Sequence, residues 1–199
     1  MTINDQVYIS KILNGDSQSF SVLVERYKDL VFTLVLRMLK NREEAEEVSQ
    51  DTFIKVYKSL DRFKGDSKFS TWIYRVAYNT CLDRIKKNKR QFLTVPIDEF
   101  TAHHVKTVDD AFSKLETLER EEAIKRCLGL LPAEDSFLIT LYYFEEQTLE
   151  ELAKVVGLKA NNVKVKLFRA RKKLASILKE QLDNDTIDSY AGKYRTAFR

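Results

Sequence analysis

Between Phe63 and Thr80, aromatic rings alternate with cations and with hydroxyl and amide groups: Phe63, Lys64, Asp66, Ser67, Lys68, Phe69, Trp72, Tyr74, Arg75, Tyr78 and Asn79. This mixture suits single-stranded nucleic acid, whose unpaired bases stack on rings and whose phosphates need neutralising. The competing reading makes Phe69 and Trp72 core residues at helical spacing. A second stretch, Leu152 to Lys179, holds nine Lys or Arg and no Asp or Glu. Solvated helices usually mix signs for i,i+4 pairing, so cations alone point to a phosphate-bearing partner. The alternative there is a solvated helix in a protein–protein bundle. The two His, His103 and His104, stand beside Asp109 and Asp110. No Cys or third His accompanies them, so a four-ligand zinc site is not expected.

These groups need scaffolding. From Asp16 to Lys40 apolar residues recur at 20, 23, 24, 27, 30, 31, 34, 35 and 38, the pattern of a helix with a broad buried stripe. Asn41 caps a second helix with Glu44 in its first turn. That helix runs to about Leu60 on a core face of Ala45, Val48, Thr52, Phe53, Val56, Tyr57 and Leu60. A polar loop, Asp61 to Lys68, precedes a third helix from Phe69 to Arg90, with Trp72, Ile73, Val76, Ala77 and Thr80 facing inward. Its end, Arg84 to Arg90, carries five cations in seven residues. Further on, Pro132 opens a helix. Thr148 and Glu151 form a capping box for a short helix closed by Gly157. A helix from Ala160 to about Leu182 completes a helix-turn-helix, with Val163, Leu167, Ala170 and Leu174 as its core stripe and Lys164 and Phe168 outward.

Gly (5) and Pro (2) are scarce and 44% of the 199 residues are hydrophobic, which favours an all-α chain over β architectures and over disorder. Cys81 and Cys127 read as small buried hydrophobes in a reducing compartment, with a disulfide the minor alternative. Neither a signal peptide nor a run of about 20 apolar residues is present, so a cytoplasmic protein without membrane insertion is expected. Residues 1–90 carry 17 basic and 12 acidic residues, 91–118 carry 2 and 5, and 119–182 carry 12 and 10. Two basic blocks therefore flank an acidic linker, 91–118, which could span up to about 90 Å when extended.

The order of these motifs resembles bacterial extracytoplasmic-function sigma factors. Glu46 to Phe53 (Glu46, Glu47, Val48, Ser49, Gln50, Asp51, Thr52, Phe53) is similar to the motif by which sigma domain 2 grips the clamp helices of the polymerase β′ subunit. Phe63 to Arg90 resembles the segment that melts and reads the −10 element. Thr148 to Leu174 resembles the −35-reading helix-turn-helix of sigma domain 4. The resemblance implies two small helical domains, 1–90 and 119–182, joined by a flexible linker and followed by a tail, 183–199. It implies a sigma factor that binds core RNA polymerase (β′ clamp helices and β flap) and promoter DNA, is monomeric when free, needs no cofactor and catalyses nothing. It also implies an anti-sigma factor as a partner.

Carried over by position, Glu47, Gln50, Asp51 and Phe53 would dock on polymerase. Gly65, Asp66, Ser67, Lys68 and Phe69 would pocket a flipped −10 base, with Asn79 behind them and Arg75, Arg84, Lys86 and Lys87 on the DNA backbone. Asn162, Lys164, Phe168, Arg169 and Lys172 would enter or flank the −35 major groove. Two departures stand out. Lys159 replaces the usual Ser cap of the recognition helix, so that Asn161 is expected to cap it, and Val165 replaces a Ser. A conventional helix-turn-helix regulator is the rival reading; it would account for residues 148–174 and leave 63–90 unexplained.

Overall fold

The computed structural model describes residues 4–91 and 117–181. The linker expectations, including His103 and His104, and the tail 183–199 lie outside the described residues. Among those described there are helices and turns and no strand. The helices are α1 (Asp5–Leu13), α2 (Phe20–Leu39), α3 (Arg42–Lys58), α4 (Phe69–Gln91), α5 (Thr117–Leu130), α6 (Ala133–Tyr143), α7 (Leu149–Val156) and α8 (Ala160–Gln181). Single 3-10 turns at Ser17–Ser19 and Leu60–Arg62 join the first of them.

Local chemistry explains the boundaries. Asn41 accepts a hydrogen bond from the Glu44 amide at 2.9 Å, which satisfies one of the free donors at the start of α3. Lys40, at φ 56°, sits in the left-handed region and ends α2, with its amide on the Leu36 carbonyl at 2.8 Å. Thr148 and Glu151 exchange both bonds of a capping box, at 3.2 and 2.9 Å. Gly157, at φ 69°, then reverses the chain after α7, a conformation that costs a side-chain-bearing residue roughly 1 kcal/mol or more. Thr148→Ala removes one half of the box and leaves the Glu151 amide without its side-chain acceptor, while the backbone bond to the Glu151 carboxylate can remain. It is expected to cost about 0.5–2 kcal/mol, read as a lower denaturant midpoint with an unchanged slope.

The contacts gather the chain into two compact units, Met1–Val95 with Thr140–Val163 and Pro96–Ile139 with Lys164–Arg199. In the first, α2, α3 and α4 pack mutually, α1 lies on α2, and α7 lies on α4. Leu23, Tyr27, Val31, Leu34, Val35 and Met38 of α2 are buried there. They meet Ala45, Val48, Thr52 and Val56 of α3 and Phe69, Ile73, Ala77 and Cys81 of α4, all buried. Residues 140–163, read from the sequence as part of the second block, thus pack with the first. In the second unit Cys127, Leu128, Leu131, Phe137 and Leu138 are buried, as are Leu167, Ala170, Leu174 and Leu178 of α8. Both cysteines are free and buried.

Four details depart from the sequence reading. A helix, α1, stands where none was expected, capped by Asn4, whose side chain accepts from the Gln6 amide at 3.0 Å. Tyr57 is exposed and Phe53 only half-buried, because α3 keeps one flank outside the bundle. Trp72 and Val76 are also only half-buried. Asn161 does not cap α8 but lies inside it, because the Lys159 carbonyl already receives the Asn162 and Val163 amides at 2.9 and 3.1 Å. Those bonds start the helix two residues earlier than an Asn161 cap would and leave Asn161 within its first turn.

Candidate nucleic-acid interface

The loop between the Leu60–Arg62 turn and α4 is held from below by rings. Phe69 is buried, with ring centroids 5.5 Å from Phe63, 5.7 Å from Trp72 and 5.6 Å from Tyr27. Edge-to-face packing on Phe63 and Tyr27 and tilted packing on Trp72 are favourable at these spacings and leave little freedom for the loop's end. Phe69 therefore supports the loop from the core, whereas Asp66 and Lys68 stay exposed and Ser67 is half-exposed. Gly65 takes φ 79°, a turn that a side chain would strain. A cavity of about 280 Å³ opens at the loop, walled on this side by Phe63, Gly65, Ser67, Lys68 and Phe69.

Part of the loop is engaged. The Lys154 ammonium of α7 donates to the Asp66 carbonyl at 2.9 Å, and Lys68 pairs with Glu151 of α7 at 2.9 Å. Below them, Thr71 donates to the Gln147 side chain at 3.2 Å, and the Gln147 amide donates to the Glu145 carbonyl at 3.0 Å. The Tyr74 hydroxyl reaches the Glu145 carboxylate at 3.5 Å. Burial raises the Glu145 carboxyl above its ordinary range, partly offset by that hydroxyl. Burial also pushes Glu151 upward, but the Thr148 groups and Lys68 outweigh it and hold the carboxyl below its ordinary range. The sequence gives no local signal for this seat, since its partners lie 71 to 88 residues apart.

Along α4, Arg75 and Asn79 are exposed one turn apart, and Lys86 follows on the same side. Lys87 is exposed but turned away from that line. Arg84 is placed differently from its expected role on a DNA backbone. It forms a bidentate pair with Glu47 of α3 at 2.7 and 2.8 Å and lies 4.0 Å from Glu44, with 14% of its side chain exposed. The Arg84 hydrogen bond lowers the Glu47 carboxyl and the same bond raises the guanidinium, so two expected site residues satisfy one another. Because the Glu47 carboxyl is lowered in the fold, this tie holds above the ordinary carboxylate range and is lost as pH falls through the lowered value.

Gln50 and Phe53 lie together. They line a groove of about 300 Å³ with Val24 and Phe32 of α2, rimmed by Lys28, Asp29, Glu46 and Ser49. Asp51 is half-exposed and does not line it. Val24 and Phe32 complete the groove; their half-buried apolar side chains mark a second stripe on α2, beside the core one.

On α8 five of the seven cations fall into two sets. Lys166 and Lys173 are tied to Glu134 and Asp135 of α6 at 2.5 and 2.7 Å. Lys164, Arg169 and Lys172 are exposed, as is Asn162. Phe168 is 56% exposed, and the Lys172 ammonium stands 4.9 Å from its ring centre. An exposed ring flanked by unneutralised cations on one helix face suits a DNA groove better than a solvated bundle. Among the described residues no group of His, Cys, Asp and Glu could hold a metal ion, and no helix is long and apolar enough to cross a membrane.

A helical protein with a ring-backed loop at one site and a cationic helix-turn-helix at another belongs to the class of promoter-reading transcription factors. Comparison with known proteins makes the class definite. Residues 23–91 match sigma-70 region 2, and residues 121–174 match sigma-70 region 4. The sigma factor SigW of Bacillus subtilis is 31% identical over 86% of this chain and 95% of its own length. The sigma-E factor of Escherichia coli K12 is 30% identical over 85% and 91%. The fold is shared with a sigma factor from Bartonella quintana solved in complex with the anti-sigma factor NepR, at a TM-score of 0.62, 21% identity and coverage of 81% and 98%. This chain belongs to the extracytoplasmic-function family of RNA polymerase sigma factors. It is an alternative sigma factor acting in transcription initiation, and the reading as a conventional helix-turn-helix regulator falls away.

Proposed function

We propose that the chain brings core RNA polymerase to promoters through three separate surfaces and itself performs no chemistry. The groove at Gln50 and Phe53 docks on the polymerase clamp. The exposed face of α8, Asn162, Lys164, Phe168, Arg169 and Lys172, enters the −35 major groove. The loop Gly65–Lys68, with Arg75, Asn79 and Lys86 along α4, takes the −10 strand and captures one extruded base, and Lys87, on another side of α4, adds positive charge nearby. Residues 1–90 carry the −10 and polymerase functions, and 119–182 carry the −35 function and the contact to the β flap. The observation that carries this reading is the loop cavity: polar groups and an ammonium around an aromatic floor, at the segment matched to region 2. The chain acts in the cytoplasm as a monomer when free. Its relative from Bartonella quintana was solved with an anti-sigma factor, and that likeness supports an anti-sigma factor as the partner here.

Run-off transcription with added core polymerase on genomic fragments tests the reading; no specific transcript would refute it. The −35 assignment has its own test. Lys172→Ala is expected to weaken holoenzyme binding to all sequences alike and to reduce the slope of log K against log salt by about 0.9. Arg169→Ala is expected to relax base preference as well, at about 1–3 kcal/mol for a lost base contact. Unchanged salt dependence in the first variant would remove Lys172 from the interface.

A further inference from the structure

The cavity at the loop has a second wall. Opposite Ser67 and Lys68 it is lined by Asn4, Asp5 and Gln6, the start of α1, over a floor to which Ile9 contributes. These residues precede position 23, where the match to region 2 begins. We propose that Gln6, positioned by α1, is a specificity-determining residue of the base pocket, reading the hydrogen-bonding edge of the extruded base. The inference rests on the base-capture reading above and adds to it the group that tells one base from another.

Three features carry it. The wall is anchored: Ile9 and Ile12 are buried, the Asp5 carboxylate pairs with Arg26, and the Tyr27 hydroxyl donates to it at 2.7 Å. A wall tied to α2 in this way holds its geometry while the loop opposite accommodates a ligand. The acceptor oxygens beside Gln6 are already committed. Both Asp5 oxygens serve Arg26 and Tyr27, and the Asn4 oxygen accepts the Gln6 backbone amide. The exposed Gln6 carboxamide remains, with one donor group and one acceptor side by side. A base edge presents donors and acceptors in the same plane, and such a carboxamide is the group that pairs with adenine elsewhere in protein–DNA recognition. The chemistry of the cavity agrees. The floor of Phe63, Phe69 and Ile9 is apolar, as the body of a base requires, and Lys68 at the rim can face the phosphate that follows.

The test uses the full-length chain with core polymerase and a promoter pool randomised through the −10 segment. Opened complexes are recovered and sequenced for wild type, Gln6→Ala, Gln6→Glu and the loop variant Asp66→Ala/Ser67→Ala/Lys68→Ala. Gln6→Ala is expected to lose about tenfold preference at a single −10 position, with −35 preferences unchanged. Gln6→Glu, which offers acceptors only, is expected to shift that position toward a base presenting a donor. If both Gln6 variants keep every wild-type preference while the loop variant loses one, the inference about Gln6 is overturned and base capture stands. If neither the loop variant nor the Gln6 variants change any preference, both are overturned. A uniform loss across all sequences in the Gln6 variants would also overturn it, since it would mark a structural role. Circular dichroism melting of each variant separates that last result from unfolding.

Discussion

Gln50→Lys should weaken co-purification with core polymerase by about thirtyfold, the effect of losing roughly 2 kcal/mol at an interface anchor. The groove explains the size. Val24, Phe32 and Phe53 give it an apolar lining, and Gln50 stands exposed at its edge. An apolar helix face from a partner would bury there, and a lysine at the edge, drawn to Glu46 and Asp29 on the rim, would place a hydrated ammonium where that face must pack. Gln50 is exposed, so thermal stability should hardly change. Asp51→Lys is the instructive comparison. Asp51 shares the acidic motif but lies off the groove, so its replacement should weaken polymerase binding less. Binding by Gln50→Lys at the wild-type level would move the docking surface elsewhere. A larger loss in Asp51→Lys than in Gln50→Lys would show that charge on the motif, rather than the groove, makes the contact.

Replacing Asp66, Ser67 and Lys68 together by Ala, with Gly65 kept for its left-handed turn, should sharply reduce promoter opening on duplex DNA. Closed-complex formation should stay near wild type. Extruding a base costs a few kcal/mol of stacking and pairing, and pocket contacts return about 1–3 kcal/mol per base. Two terms of similar size leave opening finely poised. Losing the pocket contacts should then cut the open fraction about ten- to a hundredfold. Permanganate reactivity of unpaired thymines reads it directly, and a pre-melted promoter should restore part of the signal because the extrusion cost is already met. The same loop bears on the free chain. Lys68 and the Asp66 carbonyl are engaged by Glu151 and Lys154 of α7, so a base can take these groups only when α7 lets them go. Opening by the triple variant at the wild-type rate would assign base capture to other residues, with Arg75 and Asn79 next in line on α4.

Much of this protein is written in short-range signals. Apolar spacing over 20–38 places α2, Asn41 with Glu44 starts α3, and Thr148 with Glu151 starts α7, because helix periodicity and caps act within about four residues along the chain. The acid-free run of α8 likewise marks its cationic face without reference to anything distant. α1 was legible in part. Asn4 is a good cap, but Val7, Ile9, Ile12 and Leu13 make too short a pattern to separate a nine-residue helix from a disordered start. What tertiary structure decided is which of these groups remain available. Arg84 and Glu47 had separate expected partners, yet packing of α4 on α3 brings them within 2.7 Å across 37 residues of chain. Lys166 and Lys173 are spent on α6, which leaves Lys164, Arg169 and Lys172 to face a partner. Gln6 reaches the cavity of Ser67 and Lys68 only because α1 folds back on α2. A side chain's type is set by its codon, but its freedom to bind depends on what the fold brings against it. That is a matter of long-range packing, which no local spacing encodes.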